Sequence, residues 1–224
     1  KHAGKHIAHN LAIREARGKF LAPLDSDDAC VPQALERIAY HWNTIPARDR
    51  AGFSGVAGLC ADQHGKVIGD RFPSDPLDTS LRDLRYVYRL RGEKWGPDLT
   101  DIVRRFPFPE IRNTKFVPEG MIWLEIAKTH RIRCVNEVFR IYYVDDAKTG
   151  ATLTRRTGLD DSAPGRLQYY IWLLNNDLEY FFRSPTPFLK AAVMLPIVAR
   201  YSGQSIWGAI KSLDTLAAKA LVWL

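Results

Sequence analysis

At 224 residues, 46% of them hydrophobic, the chain is long enough to bury one full core plus an appendage and too apolar to be a disordered segment. A formal charge of +7 favours anionic partners such as diphosphates, anionic lipid surfaces or nucleic acid, but the basic residues are spread too thinly to choose among them. Three cysteines, Cys30, Cys60 and Cys134, odd in number and in no CxxC pair, argue against a disulfide framework or a structural zinc site and fit a reducing compartment.

The first residue is Lys1 and the opening stretch already reads as the interior of a domain, so the true N-terminus is expected upstream. Residues 5–17 place Ile7, Leu11 and Ala12 at helical spacing, and Gly18 supplies a left-handed C-cap. Lys19 to Leu24 reads as a short buried strand running directly into Asp25, Ser26, Asp27 and Asp28. A helix is expected next, with Pro32 in its first turn and Val31, Leu35, Ile38, Ala39 and Trp42 on one face. Together these make a βα unit of an open α/β sheet, in which ligands bind beyond the carboxyl ends of strands.

From Phe53 to Phe72 small and β-branched residues around Gln63–Lys66 predict a hairpin crossing the sheet, which makes the sheet mixed. Ser80 and Asp83 form a capping box for a basic helix that carries Leu81, Leu84 and Tyr88 and stops at Gly92. Pro118 opens a helix with Ile122, Trp123, Ile126 and Ala127 inward, followed by two strands at 131–136 and 138–144. The expected organisation is a sheet domain over 1–145, a polar linker over 146–164 and a C-terminal helical extension over 165–224, with helices near 165–183, 185–200 and 204–223. The longest apolar run, Ala191 to Ala199, is shorter than the roughly 20 residues of a membrane span and contains Pro196. No signal peptide is visible.

Residues two apart at a strand end share a face, so Asp25 and Asp27 can converge on one divalent cation while Asp28 points elsewhere. Carboxylate oxygens with water positions to spare suit Mg²⁺ or Mn²⁺ whose other ligands are phosphate oxygens. The plainer reading is that this cluster caps the helix near Val31, and the two combine if Asp28 caps while Asp25 and Asp27 coordinate. In the loop Gly92–Gly96, Trp95 offers a flat face to a sugar ring, Lys94 can meet a phosphate and Glu93 is a secondary base candidate. A tight turn anchored by a buried tryptophan explains the same loop equally well. His2, His6 and His9 share a helical face at spacings that can bind a transition metal, but no carboxylate or cysteine lies near them in sequence. Asp62, Asp70 and Asp98 read as solvated turn residues.

The runs Gly4 to Asn10 and Ala16 to Asp28 resemble the middle of the family 2 inverting glycosyltransferases of GT-A fold, with an asparagine-bearing helix, a glycine, a strand and a D-x-D-D turn at that spacing. Phe116 to Ala127, holding Pro118-Glu119 before Trp123-Leu124, resembles the family's helix with the catalytic carboxylate, although the usual acidic pair is here reduced to Glu119. The resemblance, which covers residues 4–143, implies Asp25, Asp27 and Asp28 as the donor and metal site and Glu119 as the base. It implies further that the strands holding the donor's base and ribose precede Lys1.

The activity implied is sugar transfer with inversion from a nucleotide-diphosphate sugar to a saccharide or lipid-linked acceptor, in surface polysaccharide or glycolipid assembly. A nucleotidyltransferase would use a similar carboxylate-bound Mg²⁺ but normally needs a glycine-rich phosphate loop, and none is found. A non-catalytic module of the same fold is the third reading, favoured by the lone Glu119 and the missing first strands. The C-terminal helices combine Phe181, Phe182, Leu189, Trp207 and Trp223 with Lys190, Arg200, Lys211 and Lys219, a mixture that covers a sheet domain or lies on an anionic membrane surface. The expected location is the cytoplasm, peripherally on the inner face of the cytoplasmic membrane. Nucleic acid is not an expected partner, since basic residues are neither concentrated on one helix nor interleaved with exposed aromatics.

Overall fold

The structure is a computed structural model that describes residues 4–143 and 159–223. In chain order its elements are α1 (Lys5–Glu15), β1 (Phe20–Leu21), β2 (Asp28–Cys30), α2 (Ala34–Thr44), β3 (Phe53–Ala61), β4 (Leu77–Thr79), α3 (Leu81–Tyr86) and β5 (Lys94–Trp95). After these come β6 (Asp98–Leu99), α4 (Thr100–Val103), α5 (Gly120–Ile126), β7 (Arg131–Tyr142), α6 (Leu159–Asn176), α7 (Pro185–Tyr201), α8 (Ile206–Lys211) and α9 (Leu216–Trp223). The chain clusters into two compact units, each discontinuous in sequence: residues 12–107 with 123–149, and residues 1–11 with 108–122 and 150–224. His2, Val144 and most of the expected linker 146–164 lie outside the described residues.

The first unit holds the sheet, with strand order β1-β6-β3-β7-β2, β4 pairing with β7 and β5 with β3. The β3–β7 pair is parallel and the others are antiparallel, so the sheet is mixed as expected. Every residue of β3 is buried, because both faces are covered. Val56 and Cys60 pack in a cluster with Ala34, Ile38 and Trp42 of α2. Ala57 and Leu59 pack in a second cluster with Phe72, Leu84 and Cys134.

Several local expectations change. The inward face of α2 is Ala34, Ile38 and Trp42, while Leu35 is 67% exposed, since the helix begins three residues later than Val31 and its apolar stripe rotates accordingly. The expected hairpin turn forms around Asp62, whose carboxylate accepts from the amides of His64 and Lys66, but the return strand is reduced to a single bridge, Ala61 with Val67. The Ser80 hydroxyl caps α3 by accepting from the Asp83 amide at 3.0 Å; the helix ends at Tyr86, before Arg89 takes a positive φ of 54°.

Instead of two strands, Arg131–Tyr142 is one strand with a bulge. Ala57 pairs with Cys134 but Leu59 with Val138, so β7 carries extra residues opposite Gly58. The bulge turns two polar side chains to use. Asn136 brackets the backbone of Phe72, accepting from its N–H at 2.9 Å and donating to its carbonyl at 3.0 Å. Glu137 receives Arg37 Nε at 2.8 Å and Arg37 Nη2 at 2.6 Å, with His41 Nε2 at 2.8 Å, which ties α2 to the sheet.

In the second unit, Asn10 is buried and satisfied by both backbone groups of Phe108, at 2.9 Å each. The buried face of α1 is therefore His6, His9, Asn10 and Ile13, whereas Leu11, expected inward, is 51% exposed. Lys115 reaches Asp161 at 2.9 Å. Gly165 is required close by, as a Cβ there would stand 2.0 Å from the Phe116 carbonyl. Helix α6 packs along α7, and α8 and α9 also pack on α7. The last expected helix is split in two, because Asn175 binds the Ser212 carbonyl and the Asp214 amide and holds the break between α8 and α9. Proline 164, expected in the linker, lies inside α6.

Hydrogen bonds from Arg37, and then from His41, hold the Glu137 carboxylate down from an ordinary 4.5 to about 2. A depressed acid stabilises the fold above its unfolded value and loses that stabilisation as pH falls through its folded value. Glu137→Gln should cost about 1–2 kcal/mol at pH 7, a figure discounted for the water that reaches the pair. Urea denaturation at a series of pH values should show the gap between variant and parent closing between pH 4.5 and about 2.

Candidate active site

The site is built on the sheet unit, where the chain leaves β1, turns at Asp25–Asp28 and enters β2. The turn is closed by the Asp28 amide donating to the Asp25 carbonyl at 3.1 Å. β2 then pairs antiparallel with the end of β7, placing Asp28 opposite Tyr142 and Cys30 opposite Arg140. A turn, not a straight strand tip, thus gathers the acidic side chains. Ligating oxygens of Asp25, Asp27 and Asp28 all lie within 4.8 Å of one another, and this is the only such group of three or more among the described residues.

The three carboxylates are not equivalent. The Asp28 side chain is only 2% exposed, and its Oδ2 lies 3.1 Å from Nε of Arg140, which is 9% exposed. Neither atom makes a hydrogen bond of good geometry, so the contact is an ion pair. Burial pushes the Asp28 carboxyl up, Arg140 pulls it down, and the charges of Asp27 and Asp25 push it up again. Asp27 is exposed and Asp25 half-buried. Asp28 consequently joins the cluster instead of pointing elsewhere. None of the three caps a helix: the residue before α2 is Gln33, which makes no side-chain cap bond.

Glu93, Lys94 and Trp95 belong to the same unit. β5 pairs Lys94 with Leu59 and Trp95 with Gly58, and the Trp95 indole donates to the Pro23 carbonyl at 2.6 Å, two residues before Asp25. Trp95 is 6% exposed and part of the core, so it anchors the loop and leaves no open face for a sugar. The Lys94 ammonium donates to the Arg91 carbonyl at 3.0 Å. Desolvation pulls its pKa down. Glu93 is exposed and close enough to the acidic turn that its charge, with those of Asp28 and Asp27, adds to burial in raising the Tyr142 phenol. The flanking glycines serve the fold itself: Gly92, at φ 79°, abuts Gly69, and a Cβ on Gly96 would stand 1.9 Å from the Val56 carbonyl.

Asp62 is a turn residue as expected, accepting from the amides of His64 and Lys66, whereas Asp70, exposed, accepts from the amide of the distant Arg91. Asp98 is not a turn residue; it lies in β6, and burial pushes its carboxyl up to about 6 against the lowering effect of the Ser54 hydroxyl. Glu119 belongs to the other compact unit, immediately before α5, where its Oε1 meets Lys5 Nζ at 2.7 Å with both side chains some two-fifths exposed. His6 and His9 are buried in that unit, and they belong to no group of three or more ligating side chains among the described residues.

Two site residues were missed from sequence, Arg140 and Tyr142. The guanidinium lies 5.3 Å from the Tyr142 ring centre. The available signal was a lone arginine inside the apolar run Val138–Tyr142, since a buried guanidinium needs a paired charge.

Hard oxygen donors fit Mg²⁺ or Mn²⁺. Three carboxylates gather at the turn, where Arg140 pairs with Asp28; a bound cation would neutralise negative charge there, and the exposure of Asp27 leaves coordination positions open.

Residues 1–58 match the family model described as glycosyl transferase family 2, a segment that includes the acidic turn. That segment of the chain is similar to family 2 glycosyl transferases. The crystal structure of S. aureus TarS 1-349 resembles this chain at a TM-score of 0.52 and 16% identity, covering 98% of this chain and 70% of that one. At that identity the likeness speaks for the fold, the mixed α/β GT-A type. No curated protein matches the chain.

Arg140→Met should destabilise the protein by about 3–5 kcal/mol, because it strands the Asp28 charge in the interior. The double variant R140M/D28N should be destabilised less than R140M alone. Urea titration of the parent, both single variants and the double variant measures this coupling.

Proposed function

We propose that the chain transfers a sugar, with inversion, from a nucleotide-diphosphate donor to a hydroxyl of a saccharide or lipid-linked acceptor, in the assembly of a surface polysaccharide or glycolipid. The observation that carries this reading is the convergence of three carboxylates on one turn inside the family-matched segment. Asp25 and Asp27 hold Mg²⁺ or Mn²⁺, which when bound neutralises charge on the departing diphosphate. Asp28, tied down by Arg140, keeps the turn in shape and adds negative field. Glu93 and Lys94 border the donor pocket, and Trp95 fixes their loop to Pro23.

Glu119 accepts the proton of the acceptor hydroxyl as its oxygen bonds to the anomeric carbon and the carbon–phosphate-oxygen bond breaks on the opposite face. Its partial exposure leaves it within reach of an acceptor, and a lone glutamate suffices because only one proton must be taken. Residues 1–145 form the catalytic domain, 146–164 the linker and 165–224 the helical extension. A lipid-linked acceptor would place the protein peripherally on the cytoplasmic face of a membrane.

Release of nucleoside diphosphate by the complete protein should require Mg²⁺ or Mn²⁺ and stop on chelation. Asp27→Ala should abolish it. Glu119→Gln should lower kcat by roughly 10²–10⁴-fold while leaving calorimetric binding of Mn²⁺ and a nucleoside diphosphate intact. Metal-independent turnover, or full activity of Glu119→Gln, would contradict the assignment.

A further inference from the structure

Helix α7 is apolar on both sides. One side, Phe188, Ala191, Ala192, Leu195, Val198 and Ala199, is buried. The other presents Leu189, Val193, Ile197 and Tyr201, at 47%, 65%, 39% and 53% exposure and four residues apart, so they form one stripe along the helix. Helices that are apolar all round are normally covered all round. Among the described residues nothing covers this stripe.

Charge indicates what does. Lys190 and Arg200 are exposed and fall within the same arc of the helix as the stripe. From Phe181 onward the chain has five basic residues, Arg183, Lys190, Arg200, Lys211 and Lys219, against one acid, Asp214, a formal +4 out of +7 for the whole protein. The two short helices packed on α7 add Trp207 and Trp223, 56% and 64% exposed, with ring centres 5.7 Å apart. Tryptophan and long basic side chains with apolar stems are the side chains suited to a lipid headgroup region. No described helix is long and apolar enough to cross a membrane, so contact is made lying on the surface.

We infer that the exposed face of α7, Leu189–Val193–Ile197–Tyr201 flanked by Lys190 and Arg200, seats the C-terminal helices on an anionic lipid bilayer. The inference deepens the membrane location proposed above and rests on it for its meaning in catalysis. Its residues lie outside the acidic turn, however, so lipid binding and sugar transfer can be tested, and can fail, separately.

Flotation of the full chain with phosphatidylcholine vesicles, with and without phosphatidylglycerol, tests it. Binding should require the anionic lipid, weaken with salt, and shift tryptophan emission to shorter wavelength. V193D/I197D and K190E/R200E should each reduce binding by about tenfold or more. Because all four side chains are exposed, circular dichroism and nucleoside diphosphate release in detergent-free buffer should stay unchanged. Failure to bind anionic vesicles, or undiminished binding by both variants, overturns the inference. So does a parent protein that is dimeric by light scattering and becomes monomeric in V193D/I197D without binding lipid, since a second copy would then be the cover.

Discussion

The parallel pairing of β3 with β7, buried on both faces, is the constraint from which the geometry of the candidate site follows. β2 hangs on the end of β7, while β5 and β6 hang on β3, so the acidic turn and the Glu93–Trp95 loop are placed by opposite flanks of one pair. The bulge opposite Gly58 adds residues to β7 without ending it. A strand that stopped at Asn136 would carry neither Glu137 to α2 nor Arg140 to the turn.

Electrostatics at the turn obey one asymmetry. A buried charged carboxylate is costly unless a positive charge lies beside it, and Arg140 supplies that charge to Asp28. The exposed Asp27 keeps its interactions for solvent or a ligand. The same arginine lies beside Tyr142, so one guanidinium meets both the Asp28 carboxylate and the Tyr142 ring.

Parts of this were legible in the residues. The acidic cluster, the Ser80 cap and the mixed sheet were readable because each is signalled by neighbours in sequence: charge spacing, a capping pair and apolar alternation. The buried faces of α1 and α2 were misjudged, since apolar residues do not all point inward: Asn10 is buried by satisfying Phe108, while Leu11 and Leu35 face water. Asp98 was misread as a turn residue because a carboxylate in a two-residue strand gives no period to detect.

The sequence by itself determined that a D-x-D-D turn follows a strand in a segment similar to family 2 glycosyl transferases, because that pattern is local and its chemistry depends on residue type. Tertiary structure decided which carboxylate is held and which is open, that Trp95 is an anchor and that β7 is continuous. Those outcomes depend on partners far along the chain, Arg140 for Asp28, Pro23 for Trp95 and Ala57–Leu59 for β7, whose proximity exists only once the sheet has closed.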